Sequence, residues 1–220
     1  MKQLFLAFLL LVHIPGLMAQ NADDIFTFSA DGTILNKPTI YNTTPFYWDE
    51  GVLKVKDYST TTVQTKDKTT YTVNLQRDIN EKAPYYFQII QIKHNNKLIF
   101  EVKNDDYWFN AQYTNGSTHQ YEVIPLSETA SAILFFGWIY DCTPPLLTIV
   151  VVNKGKAKLV FNQNCDILKY THTANEFSLI YTDQIQEIPY DDAQPEPADY
   201  QLAKFKIWKS GEILKFQKIQ

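Results

Sequence analysis

The stretch LLTIVVVNKGKAKLVF, residues 146–161, decides the fold that we predict for this chain. Its first seven residues are apolar or β-branched and do not alternate with polar ones, which is typical of a strand buried on both faces. Asn153-Lys154-Gly155 then supplies turn chemistry, and residues 156–161 resume an extended pattern. The stretch therefore predicts a β-hairpin whose first strand lies at the centre of the protein.

The same pattern of strand and turn recurs along the chain from residue 25 onward. Tyr71, Val73 and Leu75 share one predicted strand face, whereas Thr72 and Asn74 share the other. Turn signals lie between the apolar runs at Asp31-Gly32, Asn95-Asn96, Asn115-Gly116, Lys154-Gly155 and Ser210-Gly211. We expect about thirteen to sixteen strands in an all-β, antiparallel, hairpin-rich sandwich or barrel, with a small propeller as a further alternative.

Residues 1–19 have the pattern of a secretory signal. Lys2 is followed by an apolar run over residues 4–12, then by the helix-breaking pair Pro15-Gly16, and the segment ends in the small residue Ala19. The apolar run is too short to span a bilayer well. We therefore expect an N-terminal signal helix that is cleaved after Ala19, and a single secreted or periplasmic β domain over residues 20–220.

The charge balance argues against some classes of partner. The chain has 20 Lys and Arg against 24 Asp and Glu, a net charge of −4, and removal of Lys2 with the signal leaves −5. An acidic chain is a poor match for nucleic acid or an anionic membrane as its main partner. After residue 19 no apolar run approaches the ~20 residues of a spanning helix, so we expect no membrane span in the mature chain.

The two cysteines, Cys142 and Cys165, flank the hairpin of the opening stretch. Residues that pair in an antiparallel hairpin have a constant index sum, which is 308 if Val152 pairs with Lys156 and 307 if it pairs with Gly155. Because the cysteine indices sum to 307, we predict that the two face each other and form a disulfide. In an oxidising compartment this bond would stabilise the fold by about 3 kcal/mol. Two inert thiols, or a reactive or metal-binding pair, are the alternatives.

The sequence contains no recognisable catalytic motif. No two glycines after residue 19 lie within ten residues of each other, which excludes the usual glycine-rich phosphate loops. There is also no Gly-x-Ser-x-Gly elbow and no His-Glu-x-x-His motif. We interpret His94, His119 and His172 as ordinary surface residues. The sequence therefore predicts no catalytic residue, no metal site and no cofactor.

Two tryptophans are the candidate ligand-binding residues. In the predicted strand that contains Trp108, residue parity puts its indole beside Asn110 and Gln112 on the polar face. Trp48 directly precedes Asp49, close to a turn. Indole rings on wet surfaces serve as stacking platforms for ligands, although a covering loop would equally bury them.

These observations favour a non-enzymatic binding or interaction module that works outside the cytoplasm, with carbohydrate or protein as its partner. A second hypothesis is an extracellular hydrolase that acts on a polymer such as a glycan, with carboxylates contributed by distant strands. A third is a β-barrel carrier of a small apolar ligand, whose cavity the many Phe and Tyr residues would line.

Overall fold

The structure, a computed structural model, describes residues 25–36, 54–79, 86–109, 111–114, 117–119, 121–136, 146–164, 166–174, 176–182 and 204–219. Every regular element in these residues is a β-strand, as predicted. The sixteen strands, in chain order, are β1 Ile25–Phe28, β2 Ile34–Asn36, β3 Val55–Gln64, β4 Thr70–Asp78, β5 Tyr86–His94, β6 Lys97–Phe109, β7 Ala111–Thr114, β8 Ser117–His119, β9 Glu122–Pro125, β10 Ala130–Phe136, β11 Leu146–Asn153, β12 Lys156–Asn164, β13 Asp166–His172, β14 Phe177–Thr182, β15 Lys204–Ser210 and β16 Ile213–Lys218. The predicted signal helix at residues 1–19 lies outside the described part.

The strands form three larger antiparallel sheets and one two-stranded ribbon, β7–β8. The six-stranded sheet has the order β13-β14-β15-β16-β1-β2, the central sheet has the order β12-β11-β10-β9, and the outer sheet has the order β3-β4-β5-β6. Within the described residues each of these sheets is open, with an edge strand at either end. The closed-barrel alternative is therefore wrong, because a barrel requires its first and last strands to pair.

The central sheet is buried on both faces. All seven residues of β10 are buried; Leu134 and Phe136 pack toward the six-stranded sheet, whereas Ile133 and Phe135 pack toward the outer sheet. In β11 residues 147–152 are likewise buried. The prediction of a central strand without alternation is thus confirmed, since alternate residues enter two different cores. The three larger sheets consequently stack as three layers.

Aromatic rings dominate the core between the central and six-stranded sheets. Phe161 stacks on Phe216 with ring centroids 5.2 Å apart, and its other edge meets Tyr181 at 6.0 Å. Tyr181 in turn stacks on Phe205 at 5.2 Å. Burial of each large apolar side chain stabilises the fold by roughly 1.5–3 kcal/mol, so this cluster is a major source of stability.

The core between the central and outer sheets is smaller. Phe87 and Phe135 meet edge to face with centroids 6.4 Å apart, and Tyr71 and Val152 are fully buried beside them. Tyr71, Val73 and the following Leu75 form the predicted apolar face of β4, and all three are buried. The period-two pattern of this strand therefore identified its core face correctly.

The register of the β11–β12 hairpin differs from our prediction. Lys154 and Gly155, with φ of 47° and 73°, form a two-residue turn, so Asn153 pairs with Lys156 and the index sum is 309. A bulge beyond Val150 raises the sum to 310, where Leu146 pairs with Asn164. The predicted sum of 307 or 308 was wrong, which removes the geometric reason for pairing the cysteines. Cys142 and Cys165 lie outside the described residues, so their disulfide stays a prediction.

Candidate functional site

The structure places one of the predicted ligand-binding residues on a sheet. Trp108 lies in β6, the edge strand of the outer sheet, and its backbone pairs with that of Phe87 in β5. The structure does not describe the side chain of Trp108, and Trp48 lies outside the described residues altogether. Trp108 and Trp48 therefore stay predictions.

The outer sheet carries a row of hydrogen-bonded polar side chains across all four of its strands, on the face turned away from the central sheet. We call this set the polar row. Its members are Asp57 in β3, Asn74 and Gln76 in β4, Gln91 in β5, and Glu101 and Lys103 in β6.

One half of the polar row is centred on the Asp57 carboxylate. Gln76 Nε2 donates to Asp57 Oδ1 at 2.8 Å, and Asn74 Nδ2 donates to the same oxygen at 3.0 Å. Thr60 Oγ1 in turn donates to Asn74 Oδ1 at 3.0 Å. These contacts follow from the register, in which Asp57 pairs with Gln76 and Thr60 pairs with Asn74, because paired residues project on the same side of a sheet.

The other half of the polar row continues across β5 to the sheet edge. Asn74 Nδ2 also lies 3.3 Å from Gln91 Oε1, and Gln91 Nε2 donates to Glu101 Oε2 at 2.7 Å. Lys103 Nζ lies 3.3 Å from Glu101 Oε1. Since strands are about 4.8 Å apart, a row over four strands is about 14 Å long. That length suits an extended ligand better than a single small molecule.

The polar row offers a ligand both charge and hydrogen-bonding capacity. Hydrogen bonds from Gln76 and then Asn74, with a smaller contribution from the charge of Lys93, lower the pKa of the Asp57 carboxyl, so it stays ionised at neutral pH. Asp57 and Glu101 are exposed and Gln76 and Gln91 are half-buried, whereas Asn74, which joins the two halves, is buried. Acceptor oxygens and amide donors are thus accessible on either side of Asn74, an arrangement that matches the hydroxyl groups of a saccharide.

Sequence reasoning missed the polar row, although part of its signal was visible. The alternation of β4 placed Asn74 on the polar face, but the partners of Asn74 come from β3 and β5. Only the register of three strand pairs aligns Asp57, Gln91 and Glu101 with it. A set that depends on three registers cannot be identified from one strand at a time.

A second polar cluster joins the central sheet to the six-stranded sheet. His172 Nδ1 lies 2.9 Å from Glu122 Oε2, with side chains that are 23% and 12% exposed. His172 is therefore a partnered, half-buried residue rather than the ordinary surface histidine that we expected. A carboxylate that orients a histidine is also part of many hydrolytic sites, so this pair is the feature that the hydrolase alternative would use.

Tyr170 packs beside the Glu122–His172 pair. Its ring meets Phe136 edge to face at 5.8 Å and Phe177 at 6.0 Å. Burial raises the pKa of the Tyr170 hydroxyl, and the adjacent Glu122 carboxylate raises it further. The hydroxyl is buried and makes no hydrogen bond of normal geometry within the described residues. Since this cluster is enclosed between two sheets, we interpret it as an interface contact.

Two further carboxyls have a lowered pKa, and both lie in hairpin turns. Hydrogen bonds from Ser29 and Thr33 lower the pKa of Asp31 to about 2, and those from Thr65 and Thr69 lower the pKa of Asp67. These carboxyls cap their own turns and therefore serve local structure. Within the described residues no group of three or more His, Cys, Asp or Glu side chains is arranged to hold a metal ion. No helix in that part has the length and apolar character to cross a membrane.

No protein-family model, no curated protein and no solved structure matches this chain.

Proposed function

We propose that the chain is exported and acts outside the cytoplasm as a non-enzymatic binding module, with a glycan held against the polar row of the outer sheet. The observation that carries this proposal is the hydrogen-bonded alignment of carboxylate and amide groups over about 14 Å of the outer face of the sheet, with exposed carboxylates at Asp57 and Glu101. Sugars present closely spaced hydroxyls that both donate and accept, and such ligands need donors and acceptors placed side by side.

Trp108 and Trp48 are proposed as further ligand contacts, separate from the polar row. The backbone of Trp108 pairs with that of Phe87, whose buried ring packs toward the central sheet, so the register gives no reason to place Trp108 beside the polar row. An indole ring on a binding surface would supply the stacking contact that a sugar ring needs.

Binding to a glycan array by the purified mature chain tests the proposal. We expect the wild-type protein to bind extended glycans, and Gln91→Ala and Glu101→Ala each to weaken that binding. Loss of one hydrogen bond costs about 0.5–1.5 kcal/mol, and more when one partner is charged, so the expected loss of affinity is about threefold to tenfold for each variant. Trp108→Ala should weaken binding by a similar or larger factor.

The matched control is Gln217→Ala, which removes the same amide from the six-stranded sheet. Gln217 is half-buried in β16 and pairs with Lys206, so its loss should change stability as little as that of Gln91. Equal weakening by Gln91→Ala and Gln217→Ala would contradict a site on the outer sheet. Capture of a protein with no bound glycan would support the protein partner instead.

Export is tested separately by expression of the full chain in a bacterial host. We expect the protein in the periplasm or medium, with an intact mass that begins at Gln20. An uncleaved protein retained in the cytoplasm would overturn this part of the proposal, whatever the outcome of the glycan array.

A further inference from the structure

Four loops at one end of the central and outer sheets are joined by direct contacts. We call residues 65–69, 94–97, 126–129 and 153–156 the hairpin end. The Asp67 N–H donates to the Glu128 carbonyl oxygen at 2.9 Å, which joins the β3–β4 turn to the β9–β10 loop. Thr129 Oγ1 donates to Asn153 Oδ1 at 2.8 Å, which joins that loop to the β11–β12 turn.

The β5–β6 turn completes this set of contacts. The Gly155 N–H donates to the Tyr71 hydroxyl at 2.9 Å, and the His94 ring lies 5.4 Å from the Tyr71 ring. A Cβ on Gly155 would come within 2.9 Å of His94 Cδ2, so the imidazole lies directly against the backbone of the β11–β12 turn. The four loops therefore form one cohesive surface.

This surface is basic although the whole chain is acidic. The hairpin end contains five lysines and two carboxylates, whereas the chain as a whole has a net charge of −4. Its lysines are Lys66, Lys68, Lys97, Lys154 and Lys156, and all five are exposed. Only Lys66 forms an ion pair with a described residue, to Glu128 at 3.7 Å. The other carboxylate, Asp67, accepts hydrogen bonds from Thr65 and Thr69.

Two of the lysines occupy backbone positions that do not favour lysine. Lys68 has φ of 71° and Lys154 has φ of 47°, in the left-handed region where glycine and asparagine are the usual residues. The neighbouring β5–β6 turn follows the usual preference, with Asn95 and Asn96 at φ of 51° and 63°.

The β1–β2 turn provides an internal standard for Lys68. In both turns an aspartate accepts the N–H of the threonine two residues on: Thr33 to Asp31 at 2.9 Å, and Thr69 to Asp67 at 3.1 Å. The β1–β2 turn has Gly32 at the left-handed position, with φ of 75°. Lysine thus replaces glycine in the turn that belongs to the hairpin end, which adds a charge at a conformational cost.

We propose that the hairpin end binds an acidic polysaccharide through Lys68, Lys97, Lys154 and Lys156. Exposed ammonium groups on adjacent turns form ion pairs with carboxylate or sulfate groups spaced along a chain. The hairpin end contains no Trp, Tyr, Phe or Arg, and so lacks the groups that stack on or fork to nucleic acid. This inference is independent of the polar row, which is a different surface.

The test measures binding of the full mature chain to polygalacturonate and dextran sulfate at low and raised ionic strength. One variant combines Lys68→Gln, Lys97→Gln, Lys154→Gln and Lys156→Gln. The control variant combines Lys54→Gln, Lys169→Gln, Lys209→Gln and Lys218→Gln, which changes the net charge equally but lies elsewhere. Each exposed ion pair should contribute about twofold to fivefold, so we expect the first variant, which loses four, to bind at least about tenfold more weakly and the control to bind as the wild type does. Binding should also weaken as salt is added.

A second variant distinguishes a loss of binding from a loss of folded protein. Lys68→Gly with Lys154→Asn removes two charges and puts residues that suit a positive φ in their place. We expect its melting temperature to be no lower than that of the wild type, and its affinity for the polysaccharides to be several-fold lower. Equal affinity of the wild type and the four-lysine variant, or equal loss in the control variant, would overturn the proposal. So would binding to duplex DNA or anionic vesicles in place of the polysaccharides, or salt-sensitive self-association without polysaccharide binding.

Discussion

The side of the central sheet that faces the six-stranded sheet is closed mainly by stacked aromatic rings, among them Phe161, Tyr181 and Phe216. The side that faces the outer sheet has a smaller core and adds directional contacts from the outer sheet. Thr61 hydrogen-bonds to the Tyr121 hydroxyl, and the Tyr71 hydroxyl accepts the Gly155 N–H. Apolar burial provides stability without fixing a position closely, whereas hydrogen bonds require particular distances and angles.

The difference between the two sides explains where the proposed binding surfaces lie. The outer sheet carries the polar row, and its turns meet those of the central sheet at the hairpin end. A surface that binds through several charges needs those charges held at fixed separations. The hydrogen bond from the Gly155 N–H to the Tyr71 hydroxyl helps to hold the turns at fixed positions. Contacts between apolar aromatic rings, as in the core on the other side, do not fix positions so closely.

The largest expected effect comes from removing one ring on each side of the central sheet. Phe161→Ala and Phe135→Ala each delete a fully buried ring and should each lower the free energy of unfolding by about 3–5 kcal/mol. Because both rings belong to the central sheet, we expect one unfolding transition in each variant, measured by urea denaturation with both circular dichroism and tryptophan fluorescence.

The half-buried Phe100, at the periphery of the smaller core, is the control for these two substitutions. Phe100→Ala should lower the free energy of unfolding clearly less than Phe135→Ala does. A second, separate transition in Phe135→Ala alone would mean that the outer sheet unfolds independently, and the comparison between two sides of one cooperative unit would then fail.

A smaller effect is expected where the hairpin end is held together. Gly155→Ala places a side chain at φ of 73° and brings its Cβ to 2.9 Å from His94 Cδ2, so the conformational and steric costs together should be about 2–4 kcal/mol. Gly211→Ala is the matched control, since φ is 62° and nothing lies within 4 Å of its Cβ. Gly211→Ala should lower the free energy of unfolding only by the conformational cost, about 1–2 kcal/mol.

The steric part of the Gly155→Ala cost can be isolated by adding His94→Ala. We expect the cost of Gly155→Ala in the His94→Ala background to approach that of Gly211→Ala, as measured by a double-mutant cycle in urea. Equal costs for Gly155→Ala and Gly211→Ala in the wild-type background would show that the imidazole moves aside freely, and that the hairpin end is not tightly packed there.

Local features of the fold could be predicted from the sequence, and non-local ones could not. The burial of residues 147–152 followed from a run without alternation, and the turns at Asn95-Asn96 and Lys154-Gly155 followed from their residue types. The register of β11–β12 failed because the turn has two residues and a bulge follows it. A single inserted residue changes every pairing beyond it.

The candidate sites depend on the same non-local information. The polar row needs the registers of three strand pairs, and the hairpin end needs the stacking of two sheets that are built from separate parts of the chain. The lysines themselves were visible in the sequence, but only the contacts of Asp67 with Glu128 and of Gly155 with Tyr71 bring their turns together. Net charge alone therefore concealed a basic surface on an acidic protein.

The smallest expected effect comes from relieving the backbone strain at one of these lysines, Lys68. Lys68→Gly relieves a left-handed backbone and should raise the free energy of unfolding by about 0.5–1 kcal/mol, since the gain exceeds the added entropy of the unfolded chain. Gly32→Lys makes the opposite exchange in the matching turn and should destabilise by more, because its Cβ would lie 3.1 Å from Lys158 Cδ. Urea denaturation of Lys68→Gly and Gly32→Lys measures both changes in the free energy of unfolding. An unchanged or lower stability for Lys68→Gly would mean that lysine suits this turn as well as glycine does, and the backbone argument for a binding role at the hairpin end would be lost.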